Sequence, residues 1–209
     1  MSDRDSLLQL IAQAKVGGGD AVGRVLEHYR NYLAVLAATQ IGRKLQRRIG
    51  KSDVVQETML RACAHFGEFR GSSEQELLAW LRQILTNNIA TIVEKNVLAA
   101  KRDVRRETHL EQIGPSVEES AVRLESLLPG RYDPPSLQTR RKEEAVILTD
   151  RLATLSEDYR EVLILRHLNG LDFAEIAKRL DRTVPATRML WLRALEKLRG
   201  SYAADQRAE

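Results

Sequence analysis

The stretch DFAEIAKRLDRTVPATRMLWLRALEKLR, residues 172–199, contains two amphipathic patterns separated by a short polar turn. The apolar residues of the first pattern recur every three or four positions, as they do on one face of an α-helix. They are Phe173, Ile176, Ala177 and Leu180. Asp172 and Glu175 have the spacing of a capping box at the start of this helix, and Ser73 and Glu76 have the same spacing before an earlier helical pattern. In the second pattern the inward residues are Leu190 or Trp191, then Ala194 and Leu198.

Pro185 lies near the start of the second pattern. A proline in a helix interior costs about 3 kcal/mol, but the first N–H groups of a helix have no intrahelical partner to lose. We therefore predict that the second helix begins at Val184 or Pro185. If Thr183 is the cap, its hydroxyl must reach the amide of Ala186, because proline has no N–H. Two helices joined by so short a turn predict a helix-turn-helix.

The second helix is basic on its outer side. From Arg182 to Arg199 the sequence has five basic residues and one acid. Such a helix can enter the DNA major groove, where arginines contact guanine edges or phosphates. A helical hairpin with a solvated basic face is the alternative that this pattern leaves open.

The whole chain is predicted to be all-α. It has 209 residues, of which 30% are charged and 5% are aromatic, and strand-like alternation is hard to find. Helical periodicity covers residues 1–111 and returns at residues 140–209. Residues 112–139 between them contain Pro115, Pro129, Pro134 and Pro135 and lose this periodicity. We predict two small helical domains joined by an extended, mildly acidic linker at 112–139.

Catalysis, metal binding and membrane insertion have little support in the sequence. The four histidines are scattered, and the single cysteine, Cys63, falls on the predicted apolar face of its helix, which favours a core position. A lone cysteine and the lack of a long apolar run favour a cytoplasmic protein. The sequence predicts a protein that is not an enzyme and has no cofactor. Five basic residues between Arg43 and Lys51 form a cluster that could contact DNA or a protein partner or could be a solvated turn.

Two parts of the chain resemble one known family in the expected order. SDVVQETMLRACAHFGEFRG (52–71) and AWLRQILTNN (79–88) resemble region 2 of the extracytoplasmic-function sigma factors of bacterial RNA polymerase. LATLSEDYREVLILRHLNGLDFAEIAKRLDRTVPATRMLWLRALEKLR (152–199) resembles region 4. The resemblance implies a non-catalytic subunit that binds core polymerase, recognises a promoter and helps to melt it.

The resemblance also implies site residues. The helix that would bind the clamp helices of the beta-prime subunit carries Asp53, Gln56, Glu57, Leu60 and Arg61. The part that would bind the minus-ten element carries Phe69, Arg70, Gly71, Ser72, Arg82, Asn87, Asn88 and Lys95. Trp80 could stack on a base there, but its spacing with Leu77, Leu81 and Ile84 favours the core.

The second domain would bind the minus-thirty-five element and the flap of the beta subunit, and the family adds an anti-sigma factor as a further partner. Its implied DNA-binding residues are Arg182, Thr183, Pro185, Ala186, Arg188, Met189, Arg193 and Lys197. Two alternatives stay open at this point. One is a stand-alone helix-turn-helix regulator with an N-terminal effector or dimerisation domain, and the other is a helical adaptor without DNA contact.

Overall fold

The computed structural model describes residues 3–17, 19–40, 50–102, 115–127 and 135–205, and each regular element in these ranges is helical. The all-α prediction is therefore confirmed. The chain divides into two compact units, Met1–Ile113 and Gly114–Glu209. Among the described helices, none combines the length and the apolarity that crossing a bilayer requires.

The first unit contains five α-helices and a short 3-10 helix among its described residues. They are α1 (Asp3–Lys15), α2 (Gly19–His28), α3 (Arg30–Gln40), α4 (Lys51–His65), the 3-10 helix Phe66–Glu68 and α5 (Glu74–Arg102). The long helix α5 packs against both α3 and α4. Its residues Leu77, Leu81 and Leu85 are fully buried and form the centre of the core.

The break between α2 and α3 falls at Tyr29, within a stretch whose periodicity is continuous. The ring of Tyr29 is completely buried, and its hydroxyl donates to Glu74 Oε1 over 3.1 Å. The start of α5 is thereby joined to the α2–α3 break by a buried hydrogen bond. The basic cluster of Arg43 to Lys51 falls on residues 41–49 and on the side chain of Lys51, which lie outside the described residues.

The second unit is a bundle of shorter helices. They are α6 (Val117–Ser126), α7 (Pro135–Thr154), α8 (Glu157–Leu163), the π-helix Ile164–Leu168, α9 (Phe173–Leu180) and α10 (Val184–Asp205). The last helix packs against α8 and α9. The capping box that the sequence predicts for α9 is present, because Glu175 N donates to Asp172 Oδ1 and Asp172 N donates to Glu175 Oε2.

The predicted extended linker is wrong over Val117–Ser126, which is the helix α6. A capping box between Ser116 and Glu119 begins this helix, and its apolar residues Val117, Ala121 and Leu124 are buried. The helix packs on α7 and on the π-helix, so the second unit has a core large enough to order it. Residues 135–139 are helical as well, because proline at the first position of a helix loses no hydrogen bond.

A hydrogen bond from Arg123 connects α6 to the segment that precedes the helix-turn-helix. The Nη1 atom of Arg123 donates to the carbonyl oxygen of Leu168, the last residue of the π-helix, over 2.8 Å. Gly170 follows with a φ of +72°, and a Cβ atom there would lie 3.2 Å from Arg123 Nη1. The left-handed backbone and the close arginine both favour glycine at this turn.

Candidate nucleic-acid and protein interfaces

The loop Phe69–Ser73 between α4 and α5 is built around a buried aromatic ring. Phe69 is 5% exposed, and its ring centroid lies 5.9 Å from Phe66 and 5.4 Å from Trp80. Trp80 is half-buried in this cluster, which agrees with the predicted core position. The ring of Phe69 therefore supports the loop from beneath and is not available for stacking on a base.

Gly71 lies where the loop crosses this ring. A Cβ atom at this position would come within 2.6 Å of Phe69 ring carbons and of Glu76 Cβ. Glycine is required here by the close approach of neighbouring atoms. Packing against Phe69 and Glu76 therefore determines the conformation of the loop at this position.

The carboxylate of Glu76 fixes the other end of the loop. Its Oε2 atom accepts from Ser72 N at 2.8 Å, from Ser73 N at 3.0 Å and from Ser73 Oγ at 2.8 Å. These hydrogen bonds, led by that of the Ser72 amide, lower the pKa of Glu76 below its usual value. Ser73 also accepts from the amide of Glu76, so the capping box predicted for α5 is present.

Helix α1 contributes a residue to this loop that the sequence analysis missed. The Nζ atom of Lys15 donates to the carbonyl oxygen of Gly71 and lies 5.2 Å from the centroid of the Phe69 ring. Nothing in the local sequence indicates this contact, because the two residues are separated by 56 positions. The loop is therefore held by hydrogen bonds from two elements, those of Lys15 on α1 and of Glu76 on α5.

Besides Phe69, two further residues predicted to bind the minus-ten element are buried in the core, which corrects that part of the prediction. Arg82 is 6% exposed and donates from Nη1 to the hydroxyl of Tyr32 over 3.2 Å. Asn88 is completely buried, and its Nδ2 atom donates to Val54 O at 3.1 Å and to Thr58 Oγ1 at 2.9 Å.

The physical reason for this correction is the register of α5. Asn88 follows Leu81 and Leu85 at four- and three-residue steps, so it lies on the same inward face. Burying its amide is possible because two acceptors on α4 take its N–H groups.

Four other predicted residues of this surface are exposed: Arg70, Ser72, Asn87 and Lys95. Asn87 accepts from Gln83 Nε2 at 2.9 Å through its Oδ1 atom. A hydrogen bond between exposed side chains can be exchanged at little cost, so the amide can turn to a base edge. The exposed loop and the exposed side of α5 thus place cationic and amide groups on one surface of the first unit.

Helix α4 presents a different kind of surface. Asp53, Gln56 and Leu60 are exposed and follow one another at three- and four-residue spacing, which places them on one face. Leu60 is 60% exposed, which is high for a large apolar side chain. Beside this face Arg61 Nε donates to Glu57 Oε1 over 2.7 Å, and both side chains are only partly exposed.

The core position predicted for Cys63 is wrong, since its side chain is exposed. It lies three positions after Leu60 and therefore continues the outer face of α4. The inward residues are Val54, Val55, Thr58 and Ala62. Among the described residues no group of three or more metal-ligating side chains comes together.

The turn of the helix-turn-helix is built by Asp181 and Thr183. Asp181 adopts the left-handed conformation with φ 53°, which lets Arg182 N donate to Ala177 O over 2.9 Å. Thr183 Oγ1 accepts from the amide of Ala186 at 3.3 Å, as the position of Pro185 requires. Helix α10 begins at Val184, which confirms the predicted start.

All eight predicted DNA-binding residues of the second unit are exposed. They are Arg182, Thr183, Pro185, Ala186, Arg188, Met189, Arg193 and Lys197. The opposite side of α10 is anchored by Thr187 and Ala194, both completely buried. Arg182 Nη2 lies 2.6 Å from Asp158 Oδ2, and the guanidinium of Arg188 lies 5.6 Å from the centroid of the Phe173 ring.

His167 holds α10 to the π-helix and was not selected by the sequence analysis. Its Nε2 atom accepts from the indole N–H of Trp191 over 3.1 Å, and the two rings are stacked. Burial, assisted by the nearby charge of Arg166, lowers the pKa of His167 below 6.5. The neutral imidazole is thus the form that supports α10.

Two family descriptions match the two units separately. Residues 25–97 match the description Sigma-70 region 2, and residues 145–198 match Sigma-70, region 4. The matched spans together cover more than half of the chain and place the resemblance on the helices described above.

Similar proteins from three bacteria are sigma factors by name. The chain is 25% identical over 206 residues to the ECF RNA polymerase sigma factor BldN of Streptomyces coelicolor, covering 99% of this chain and 69% of that protein. It is 27% identical over 193 residues to the ECF RNA polymerase sigma-E factor of Haemophilus influenzae, covering 90% and 91%. It is 29% identical over 146 residues to that of Escherichia coli K12, covering 70% of each chain.

The chain belongs to the sigma-70 family of RNA polymerase sigma factors. Within that family it is a factor of the extracytoplasmic-function type that directs initiation at promoters. The stand-alone helix-turn-helix regulator is not favoured, because the region 2 match covers a part of the chain that such a regulator does not need.

Proposed function

We propose that the outer face of α4 docks on the clamp helices of the core polymerase while two separate surfaces bind the promoter. The loop Phe69–Ser73 with the exposed side of α5 takes an unstacked base of the minus-ten element. The exposed side of α10 enters the major groove of the minus-thirty-five element, and the second unit contacts the flap of the beta subunit. An anti-sigma partner and a cytoplasmic location stay predictions.

The observation that carries the docking proposal is the exposed leucine of α4. Leu60 is 60% exposed on a face that also carries Asp53 and Gln56. An exposed large apolar side chain next to polar ones is the combination that protein interfaces use, with an apolar core and a polar rim. The Glu57–Arg61 ion pair beside it holds two further side chains in a fixed geometry.

The minus-ten proposal rests on the fixed loop. Recognition of a flipped base needs a preformed pocket, since any ordering of the protein would add to the cost of unstacking. Gly71, Glu76 and Lys15 hold the loop in place before any DNA arrives. Arg70 and Ser72 are exposed on it and supply a charge and a hydroxyl to the incoming strand.

Binding to core polymerase tests the first part of the proposal. The double variant Asp53→Ala/Leu60→Ala should lose affinity for core polymerase by about tenfold or more, since buried anchors dominate interface energetics. A matched control is Leu8→Ala/Asp20→Ala, which removes an exposed leucine and an exposed acid on α1 and α2. Equal affinity of the two variants would contradict the assignment of the α4 face.

Transcription in vitro separates the sigma factor from the stand-alone regulator. Core polymerase with the protein should start transcription at discrete sites on a library of genomic fragments, and core polymerase alone should not. A regulator would instead bind duplex DNA tightly without polymerase, at a palindromic site if it is dimeric. That second result would contradict the proposal.

A further inference from the structure

One exposed line along α10 carries two large apolar side chains at its centre. The line consists of residues at steps of four, three and four positions, here called the outer stripe. Its members are Pro185, Met189, Leu192 and, at its C-terminal end, the acidic Glu196. It lies opposite the completely buried Thr187 and Ala194. Met189 and Leu192 are each 50% exposed, and they stand at its centre.

The cations of α10 lie beside the outer stripe and not on it. Arg188 is one residue before Met189, and Arg193 and Lys197 are each one residue past a member of the stripe, so they flank it on its two sides. Two guanidinium groups near the helix start are also held by the body of the unit. Arg182 is paired with Asp158 at 2.6 Å, and Arg188 lies over the ring of Phe173 at 5.6 Å.

Two apolar side chains between basic borders are complementary to a groove with anionic walls and an apolar group on its floor. The major groove has phosphate walls, and the apolar group that its base edges present is the C5-methyl of thymine. A second copy of this chain fits less well, because it would bring the basic borders of the two stripes together. Methionine suits such a surface because its unbranched side chain adapts to irregular shapes.

We infer that Met189 and Leu192 read thymine methyl groups in the minus-thirty-five element and are the specificity-determining residues of α10. This inference rests on the proposed binding of α10 to duplex DNA. The flanking arginines and the lysine then contact phosphates and set affinity, while the outer stripe selects sequence. The preferred element is expected to carry thymines at the steps that face the middle of the helix.

Selection from a randomised window is the first experiment. Holoenzyme with the wild-type chain should enrich minus-thirty-five sequences with thymine at one or two fixed positions. Met189→Ala and Leu192→Ala should each lose the preference at a position while still initiating. Ile147→Ala is the matched control, because it removes a 47% exposed apolar side chain from α7 in the same unit, and it should keep the wild-type preference.

Replacing thymine by deoxyuridine in the selected element removes only the methyl group. For the wild-type holoenzyme the substitution should weaken binding by about fourfold per methyl contacted. For Met189→Ala or Leu192→Ala the same substitution should have no effect at the position that the residue reads. This cancellation is the signature of a direct contact, and a change in folding alone would not produce it.

Three results would overturn the inference in distinguishable ways. Equal wild-type binding to thymine and deoxyuridine elements, with initiation intact, would refute the thymine contact and leave the proposed function standing. Uniform loss of core polymerase binding or of self-association in Met189→Ala would make the outer stripe a protein contact. Absence of any promoter-dependent initiation by the wild type would refute the proposed function as well.

Discussion

The loop surface of the first unit and helix α10 of the second unit differ in how firmly sequence determines which residues face outward. On α5, Arg82 and Asn88 point into the core although their side chains are polar. On α10, Arg193 and Lys197 are exposed as the pattern predicts. The difference follows from where the polar residues fall in the register of each helix: Asn88 continues the spacing of the buried Leu81 and Leu85, whereas Arg193 and Lys197 lie away from the buried Ala194.

Helix α5 lies against both α3 and α4, so more than one of its faces is inward. Its inward side also accommodates polar groups by hydrogen bonds, such as that of Asn88 with Thr58 at 2.9 Å. Helix α10 leaves a continuous face exposed opposite Thr187 and Ala194. Periodicity gives the orientation of both helices, but whether a polar residue on the inward side has a buried partner depends on the neighbouring helices.

The largest expected effect concerns α6, which enlarges the second unit beyond the predicted domain. Leu124→Ala should lower the free energy of unfolding by about 2–5 kcal/mol, because a completely buried leucine leaves a cavity. Urea denaturation of the full chain, with hydrogen exchange of the α7 amides, measures this loss. Val122→Ala, which removes a 59% exposed side chain from the same helix, should change stability by no more than about 0.5 kcal/mol. Equal behaviour of the two variants would mean that α6 is not part of the folded second unit.

Adjacent asparagines of α5 test the comparison within a single helix. Asn88→Ala should destabilise the first unit by about 1–3 kcal/mol, because it removes the buried amide that donates to Val54 O and Thr58 Oγ1 on α4. Asn87→Ala removes an exposed amide and should leave stability unchanged while promoter opening falls. The two properties are measured by urea denaturation and by permanganate reactivity of the melted strand. If Asn88→Ala impaired opening at unchanged stability, the inward assignment would be wrong.

The fixed loop of the first unit gives the next effect. Gly71→Ala should lower the free energy of unfolding by about 1–3 kcal/mol, since the new Cβ would overlap the ring of Phe69 and the Cβ atom of Glu76. Gly67→Ala is the control, because no atom outside its own neighbours lies within 4 Å of the added Cβ. Thermal unfolding compares the two variants. A Gly71→Ala protein as stable as the control would show that the loop can move to accept a side chain.

The smallest effect is a pH dependence confined to the second unit. The pKa of His167 in the folded protein lies below 6.5, so the unfolded chain binds a proton more readily. The stability from neutral His167 is complete above pH 6.5 and is lost as the pH falls through the lowered folded-state pKa. Urea midpoints between pH 8 and 5 should show this loss in the wild type.

His167→Gln should remove that pH dependence, because glutamine can still accept from Trp191 and does not titrate. His65→Gln changes an exposed histidine of the first unit and should keep the wild-type profile. A profile that survives in His167→Gln would assign the pH dependence to other groups.

The sequence predicts the fold class, both recognised regions, the α5 and α9 capping boxes and the start of α10, because these depend on short-range spacing. A capping-box pattern is also present at Ser116 and Glu119, and apolar residues recur at Val117, Ala121 and Leu124. This pattern indicates α6, but the surrounding prolines favour an extended chain. The contacts of Lys15 with Gly71 and of Arg123 with Leu168 could not be predicted. Each joins residues far apart in sequence, and only the packing of whole helices brings them together.

Because each unit contains one tryptophan, intrinsic fluorescence can report on each unit separately. Trp80 packs on Phe69 beneath the loop of the first unit, and Trp191 hydrogen-bonds His167 in the second. The chain has no other tryptophan. The fluorescence of a Trp191→Phe chain therefore reports on the loop alone, and that of a Trp80→Phe chain reports on α10 alone. The proposed binding of the two promoter elements can thus be timed separately on an unlabelled protein.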